Sequence, residues 1–193
     1  MTTETLSNKH WKVDHYSDAA WRERLGQQAL ALFLLFYTGS GSLLLIVRLG
    51  LLPENIRSEM DINTFFPAWA GIFLLIPLHE GIHWLVMKYY QIQPQLEIDL
   101  KNIAVALEST GYVYTRSSFL ATSLAPLFVI TFLGLLGIWR YYTSIWGLIF
   151  WGWTIIHLST CAGDIWNSCV VLKYPRESYI VTEKDKARII YPG

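Results

Sequence analysis

Residues 65–87 read FFPAWAGIFLLIPLHEGIHWLVM, and within these 23 positions Glu80 is the only residue with a formal charge. A helix crossing a bilayer needs about 20 apolar residues, because lipid offers the backbone no hydrogen-bond partners and a helix satisfies its own. Three further runs have the same character. No charged residue falls between Arg24 and Arg48, between Arg116 and Arg140, or between Arg140 and Asp164. The pattern predicts four membrane-spanning helices, at Gln28–Val47, Phe65–Met87, Phe119–Trp139 and Ser144–Leu172. The last is long enough to require tilt, or a break near Gly163. A cleaved signal peptide is the competing reading of the first run. Its apolar core is too long, and the exit VRLGLLPEN has no small-residue cleavage site, so an uncleaved helix is expected.

Composition agrees. The 193 residues suit one domain, 53% are hydrophobic, and nine are tryptophan. The formal net charge is zero, which gives no general attraction to nucleic acid. Cys161 and Cys169 lie in one apolar segment and read as buried thiols, not as a disulfide framework. The expected fold class is an all-α membrane protein: an arm at 1–27, a four-helix transmembrane domain at 28–172, and a short tail at 173–193.

Lysine and arginine set the expected orientation. Twelve of the fifteen lie in the N-terminal arm, the loop after the second span and the tail, against three (Arg48, Arg57, Arg140) in the alternate loops. The positive-inside rule then puts both termini and the middle loop of this multi-pass protein in the cytoplasm. In that loop, QLEIDL (Gln95–Leu100), NIAVAL (Asn102–Leu107) and GYVYT (Gly111–Thr115) are short and alternating or β-branched. They predict a small hairpin between helices two and three. The arm mixes Trp11, Tyr16 and Trp21 with charges, which suits an interfacial or solvated segment.

His79, Glu80 and His83 interrupt the decisive stretch. On a helix, positions four apart share a face, so two imidazoles can grip one ion. In the HExxH pattern the intervening glutamate is placed to take a proton from a water activated by the metal. The competing reading is a hydrogen-bonded polar cluster joining helices. An ionisable group at bilayer depth costs about 2.5–3.5 kcal/mol on insertion scales, which favours a functional role. Pro77 removes a helix hydrogen bond to the carbonyl of Phe73 and suits either a plain proline kink or a widened site.

A catalytic zinc site usually takes three protein ligands. His157, Cys161 and Asp164 are the candidates in the fourth run, on one helical face. At 1.5 Å per residue, His79 and His83 lie roughly 14 and 8 Å from the end marked by Lys88. Asp164 lies roughly 14 Å from Lys173, and a straight helix would put His157 about 24 Å deep. Depth therefore favours Asp164, with His157 as a hydrogen-bonded core histidine and Cys161 as a small packed residue. Asn167, one turn on, suits either a ligand-orienting role or an interhelix hydrogen bond.

LHEGIH in one span, APL (Ala125–Leu127) in the next and the late Gly163-Asp164 together resemble the small bacterial family of putative zincin peptidases, which is similar to the site-2 proteases. The likeness covers roughly Phe65 to Tyr191. It implies His79, His83 and Asp164 as ligands of one zinc ion and Glu80 as general base. Site-2 proteases carry their aspartate in a Leu-Asp-Gly type motif, whereas here it stands in Ala-Gly-Asp-Ile. The implied activity is intramembrane zinc metallopeptidase of the bacterial cytoplasmic membrane, with a membrane-embedded or membrane-proximal peptide as substrate. The oligomeric state stays open, and four helices enclosing a polar site in the bilayer could pair with a second copy of the chain. The rival is a non-catalytic membrane metal-binding sensor or partner protein that keeps the fold and tolerates loss of Glu80.

Overall fold

The structure, a computed structural model, describes residues 11–17, 50, 53–59, 61–99, 104–108, 111–183 and 186–193. Its elements in chain order are β1 (Trp11–Ser17), α1 (Glu54–Ser58), α2 (Ile62–Tyr89), β2 (Gln95–Asp99), β3 (Ala104–Glu108), β4 (Val113–Thr115), α3 (Arg116–Arg140), α4 (Ile145–Thr160), α5 (Ala162–Val171), β5 (Tyr179–Glu183) and β6 (Lys186–Pro192). The described chain is mostly helical. Among the described residues two helices, α2 and α3, are long and apolar enough to cross a membrane, and α4 with α5 makes a third if the broken pair counts as one span. The first predicted span, Gln28–Val47, lies outside the described residues.

The described residues fall into two compact units. One gathers residues 11–17, 80–125 and 163–193. Its centre is a four-stranded antiparallel sheet in the order β1-β6-β5-β4. Strand side chains alternate between faces, so one face presents Ile180 and its register partner Ile189, and the other presents Val181 and Ile190. The first pair packs with Met87, Ile92, Tyr114 and Val171, the second with Trp11, Val113 and Tyr179. The first face is thus packed by helix and loop residues, and the second cluster is formed by neighbouring strands of the sheet itself. Tyr174 Oη donates to Asp14 Oδ2 at 3.1 Å, tying the connection after α5 to β1. Burial, and then the Asp14 carboxylate, hold the Tyr174 phenol above its ordinary range.

The helix α2 ends in this unit with Gln91 at φ 59°. The N–H of Ile92 donates back to the Met87 carbonyl at 2.9 Å, which closes the helix end in a left-handed cap.

The other unit holds residues 50–79 and 126–162. Small residues let its helices approach closely. Gly71 lies directly against the Trp153 ring, where a Cβ would clash, and Gly134 and Gly137 meet Thr154 and Phe150 in the same way. Trp153 Nε1 donates to the Ala68 carbonyl at 2.8 Å, and Glu59 Oε2 accepts the N–H of Ile145 at 2.8 Å. Asp61 Oδ1 accepts the Thr64 N–H at 3.0 Å at the start of α2. Hydrogen bonds from the Asn63 side chain and the Thr64 backbone keep that carboxylate below its usual range. Large apolar side chains along α2 and α3 point outward, with Phe73 70% and Phe128 66% exposed. A helix apolar on the outside suits lipid as its solvent.

Three expectations need correction. The fold is not all-α, because the arm, the middle loop and the tail combine in a sheet. The arm segment Trp11–Ser17 is an edge strand whose backbone pairs antiparallel with the edge that β6 offers. GYVYT does not join the loop hairpin: β2 and β3 pair with each other, while β4 pairs with β5. The fourth run breaks at Cys161, two residues from the break expected near Gly163.

Candidate metal centre

Both histidines of LHEGIH belong to α2, one turn apart, and both are buried. Glu80, the next residue after His79, is half-buried. His83 is held at both ring nitrogens. Its Nδ1 lies 2.8 Å from the Thr122 carbonyl of α3, an acceptor only, so Nδ1 carries the proton. Its Nε2, the nitrogen that can ligate an ion when the ring is neutral, faces Asp164 Oδ2 at 3.5 Å.

Pro126 explains why the Thr122 carbonyl is available. In an α-helix the carbonyl of residue 122 takes the N–H of residue 126, and proline has none. The carbonyl freed by Pro126 is the one that receives His83. Ala125-Pro126-Leu127 thus has a local physical role that the sequence reading missed. The available signal was a proline inside an uncharged helical run, counted back four residues.

Asp164 stands in the first turn of α5, where the unpaired N–H groups of a helix start favour an anion. The break before it is made by Cys161, which caps α4 and sends its N–H to the His157 carbonyl at 3.1 Å.

His157 does not lie where straight-helix arithmetic placed it, well below His79. Its Nε2 is 3.3 Å from His79 Nδ1, and it is fully buried. Cys161 Sγ sits 3.4 Å from His157 Nε2 and 3.9 Å from His79 Nδ1. The depth estimate fails because it measured from Lys173 through a helix that is interrupted at Cys161. Asn167 is half-buried on α5.

The donor chemistry suits a divalent ion. Ligand bonds of about 2.0–2.2 Å in a tetrahedral arrangement place neighbouring nitrogen and oxygen ligands about 3.3–3.5 Å apart. The His83–Asp164 separation of 3.5 Å matches that edge. The backbone carbonyl behind His83 is the outer partner that commonly orients a ligating imidazole.

No curated protein and no solved structure matches the chain. The family described as putative zincin peptidase matches residues 72–179, a stretch that holds His79, Glu80, His83, His157, Cys161 and Asp164. That match covers more than half of the 193 residues, and the chain belongs to the putative zincin peptidase family.

Proposed function

We propose that this protein is a zinc-dependent metallopeptidase that hydrolyses a peptide bond within or beside a membrane. His79, His83 and Asp164 hold the ion, and Glu80 is the general base. The observation that carries the reading is His83: its Nδ1 is committed to the Thr122 carbonyl, and its Nε2 faces Asp164 Oδ2 at 3.5 Å, a ligand-to-ligand distance. The family and the HExxH spacing in α2 support the same assignment.

When bound, the ion supplies Lewis-acid polarisation of the peptide carbonyl and lowers the pKa of a water toward about 7. Glu80 accepts the proton of the attacking water and returns it to the departing amine. The Thr122 carbonyl keeps the His83 ring in one tautomer throughout. Asp164 provides the anionic charge that a cation beside two imidazoles needs in an apolar setting.

The sheet supports the membrane arrangement. Residues 11–17, 113–115 and 179–192 are hydrogen-bonded in one sheet, and an open sheet does not straddle lipid. These three segments therefore share a side, and an even number of crossings separates each from the next. Between β4 and β5, α3 and the broken α4–α5 pair supply two. Between β1 and β4, α2 supplies one, so a second is required, and the sequence offers the uncharged run at 28–47 for it. The lysine and arginine count puts the sheet side in the cytoplasm.

The test is hydrolysis of a membrane-embedded reporter peptide by the purified full chain in detergent or liposomes. A chelator is expected to abolish cleavage, and stoichiometric zinc to restore it. Cleavage that survives complete metal removal would end the proposal. A second expectation concerns Pro126. Replacing it with alanine supplies an N–H that competes for the Thr122 carbonyl and loosens His83. Zinc affinity, read by competition with a chromophoric chelator, should fall about tenfold, the low end of second-shell effects. An unchanged affinity would remove Pro126 from the account.

A further inference from the structure

Within the unit formed by residues 50–79 and 126–162, three donor atoms converge that the peptidase reading does not use together. They are His79 Nδ1, His157 Nε2 and Cys161 Sγ, from residues that are all buried, with His157 and Cys161 at 0% exposure. They lie within 4.8 Å of one another. The nitrogen–nitrogen distance is 3.3 Å, and the two sulfur–nitrogen distances are 3.4 and 3.9 Å. A tetrahedral ion with bonds of about 2.0–2.1 Å to nitrogen and 2.3 Å to sulfur would set these edges at about 3.4 and 3.6 Å. The nitrogen edge agrees closely, and the sulfur edges bracket the ideal. As a hydrogen bond, by contrast, 3.3 Å is longer than the usual range of about 2.7–3.2 Å, and a thiol is a weak donor.

We propose that His79, His157 and Cys161 form a second metal-binding set, selective for a thiophilic cation such as zinc or cadmium. A thiolate with two imidazoles is a softer donor group than His83 with Asp164. All three ligands are buried, and three protein ligands leave the fourth position of a tetrahedral ion to solvent.

One consequence rests on the peptidase reading. An imidazole that binds an ion through Nδ1 carries its proton on Nε2, so His79 cannot serve both sets as a neutral ligand. The sets compete for His79, and loading the buried one leaves the His83–Asp164 set a ligand short. An excess of thiophilic cation is then inhibitory.

The experiment uses the full-length His83→Ala/Asp164→Ala protein in detergent, titrated with Cd²⁺. One equivalent is expected to bind, with the near-ultraviolet charge-transfer absorption of a cadmium thiolate. That band should disappear in Cys161→Ser, weaken at least tenfold in apparent affinity in His157→Ala, and persist in Cys169→Ser, where the exposed thiol is removed. Absence of a thiolate band, or a band that survives Cys161→Ser, overturns the proposal. Should the double variant not fold by circular dichroism, Cys161→Ser and Cys169→Ser are compared in the otherwise native chain. Loss of the band in the first alone supports the site, and any other pattern overturns it. Failure of the native protein to cleave any peptide would sink the peptidase reading and leave the cadmium result standing.

Discussion

Glu80→Gln is expected to reduce peptide hydrolysis by roughly 10²–10⁴-fold in kcat while leaving the bound metal in place, the range that a positioned proton-transfer group contributes. Glutamine has nearly the same size and keeps an oxygen for hydrogen bonding. It lacks the basicity to take a proton from water. Glu80 is next in sequence to His79, about 100° around the helix, so it is not part of the i, i+4 pair that faces the ion. Its removal should therefore leave the ligand geometry alone. The measurement pairs kcat on a reporter peptide with zinc content by atomic absorption. Removing an ionisable group from an apolar helix should also leave the thermal midpoint no lower than that of the native protein. A glutamine variant that cuts at the native rate would favour the rival reading, a metal-binding membrane protein without catalysis.

Asp164→Ala should have the second largest effect, and it is best measured in a Cys161→Ser background, because the Cys161 thiol offers His79 another way to hold an ion. Without Asp164 the remaining ligands are two neutral imidazoles, which leave the cation uncompensated in a low-dielectric site. Zinc affinity should fall by more than the 10–100-fold that altering an outer-shell partner costs, since a direct ligand is removed. His83 should keep its bond to Thr122, so the fold at α2 and α3 should persist by circular dichroism. Equilibrium dialysis against buffered zinc reads the result. Native affinity in this variant would exclude Asp164 as a ligand.

The helical part of the fold was legible from charge. Lipid forbids unsatisfied backbone and penalises charged side chains, so uncharged runs of helical length mark α2 and α3 within a few residues of their observed ends. The sheet was only half legible. Alternation identifies strands, and the β2–β3 hairpin pairs as expected because its strands are neighbours in sequence. Alternation says nothing about distant partners, so the joining of Trp11–Ser17 to the tail, and of Val113–Thr115 to Tyr179, was missed. At the candidate site, HExxH names its residues because the helix places positions four apart on one face whatever surrounds them.

By itself, then, the sequence determined what a single element can determine: which runs are apolar enough for lipid, and that His79 and His83 share a helical face with Glu80 beside them. Only the tertiary structure decided what meets across elements. It set Asp164 against His83 and drew His157 and Cys161 up to His79. It also turned the carbonyl left over by Pro126 toward the His83 ring. The reason is geometric. Contacts along one helix follow from a fixed rise and twist, whereas contacts between helices depend on where each one bends and packs, so the break at Cys161 and the 3.3 Å between His157 and His79 could be read only from the tertiary structure.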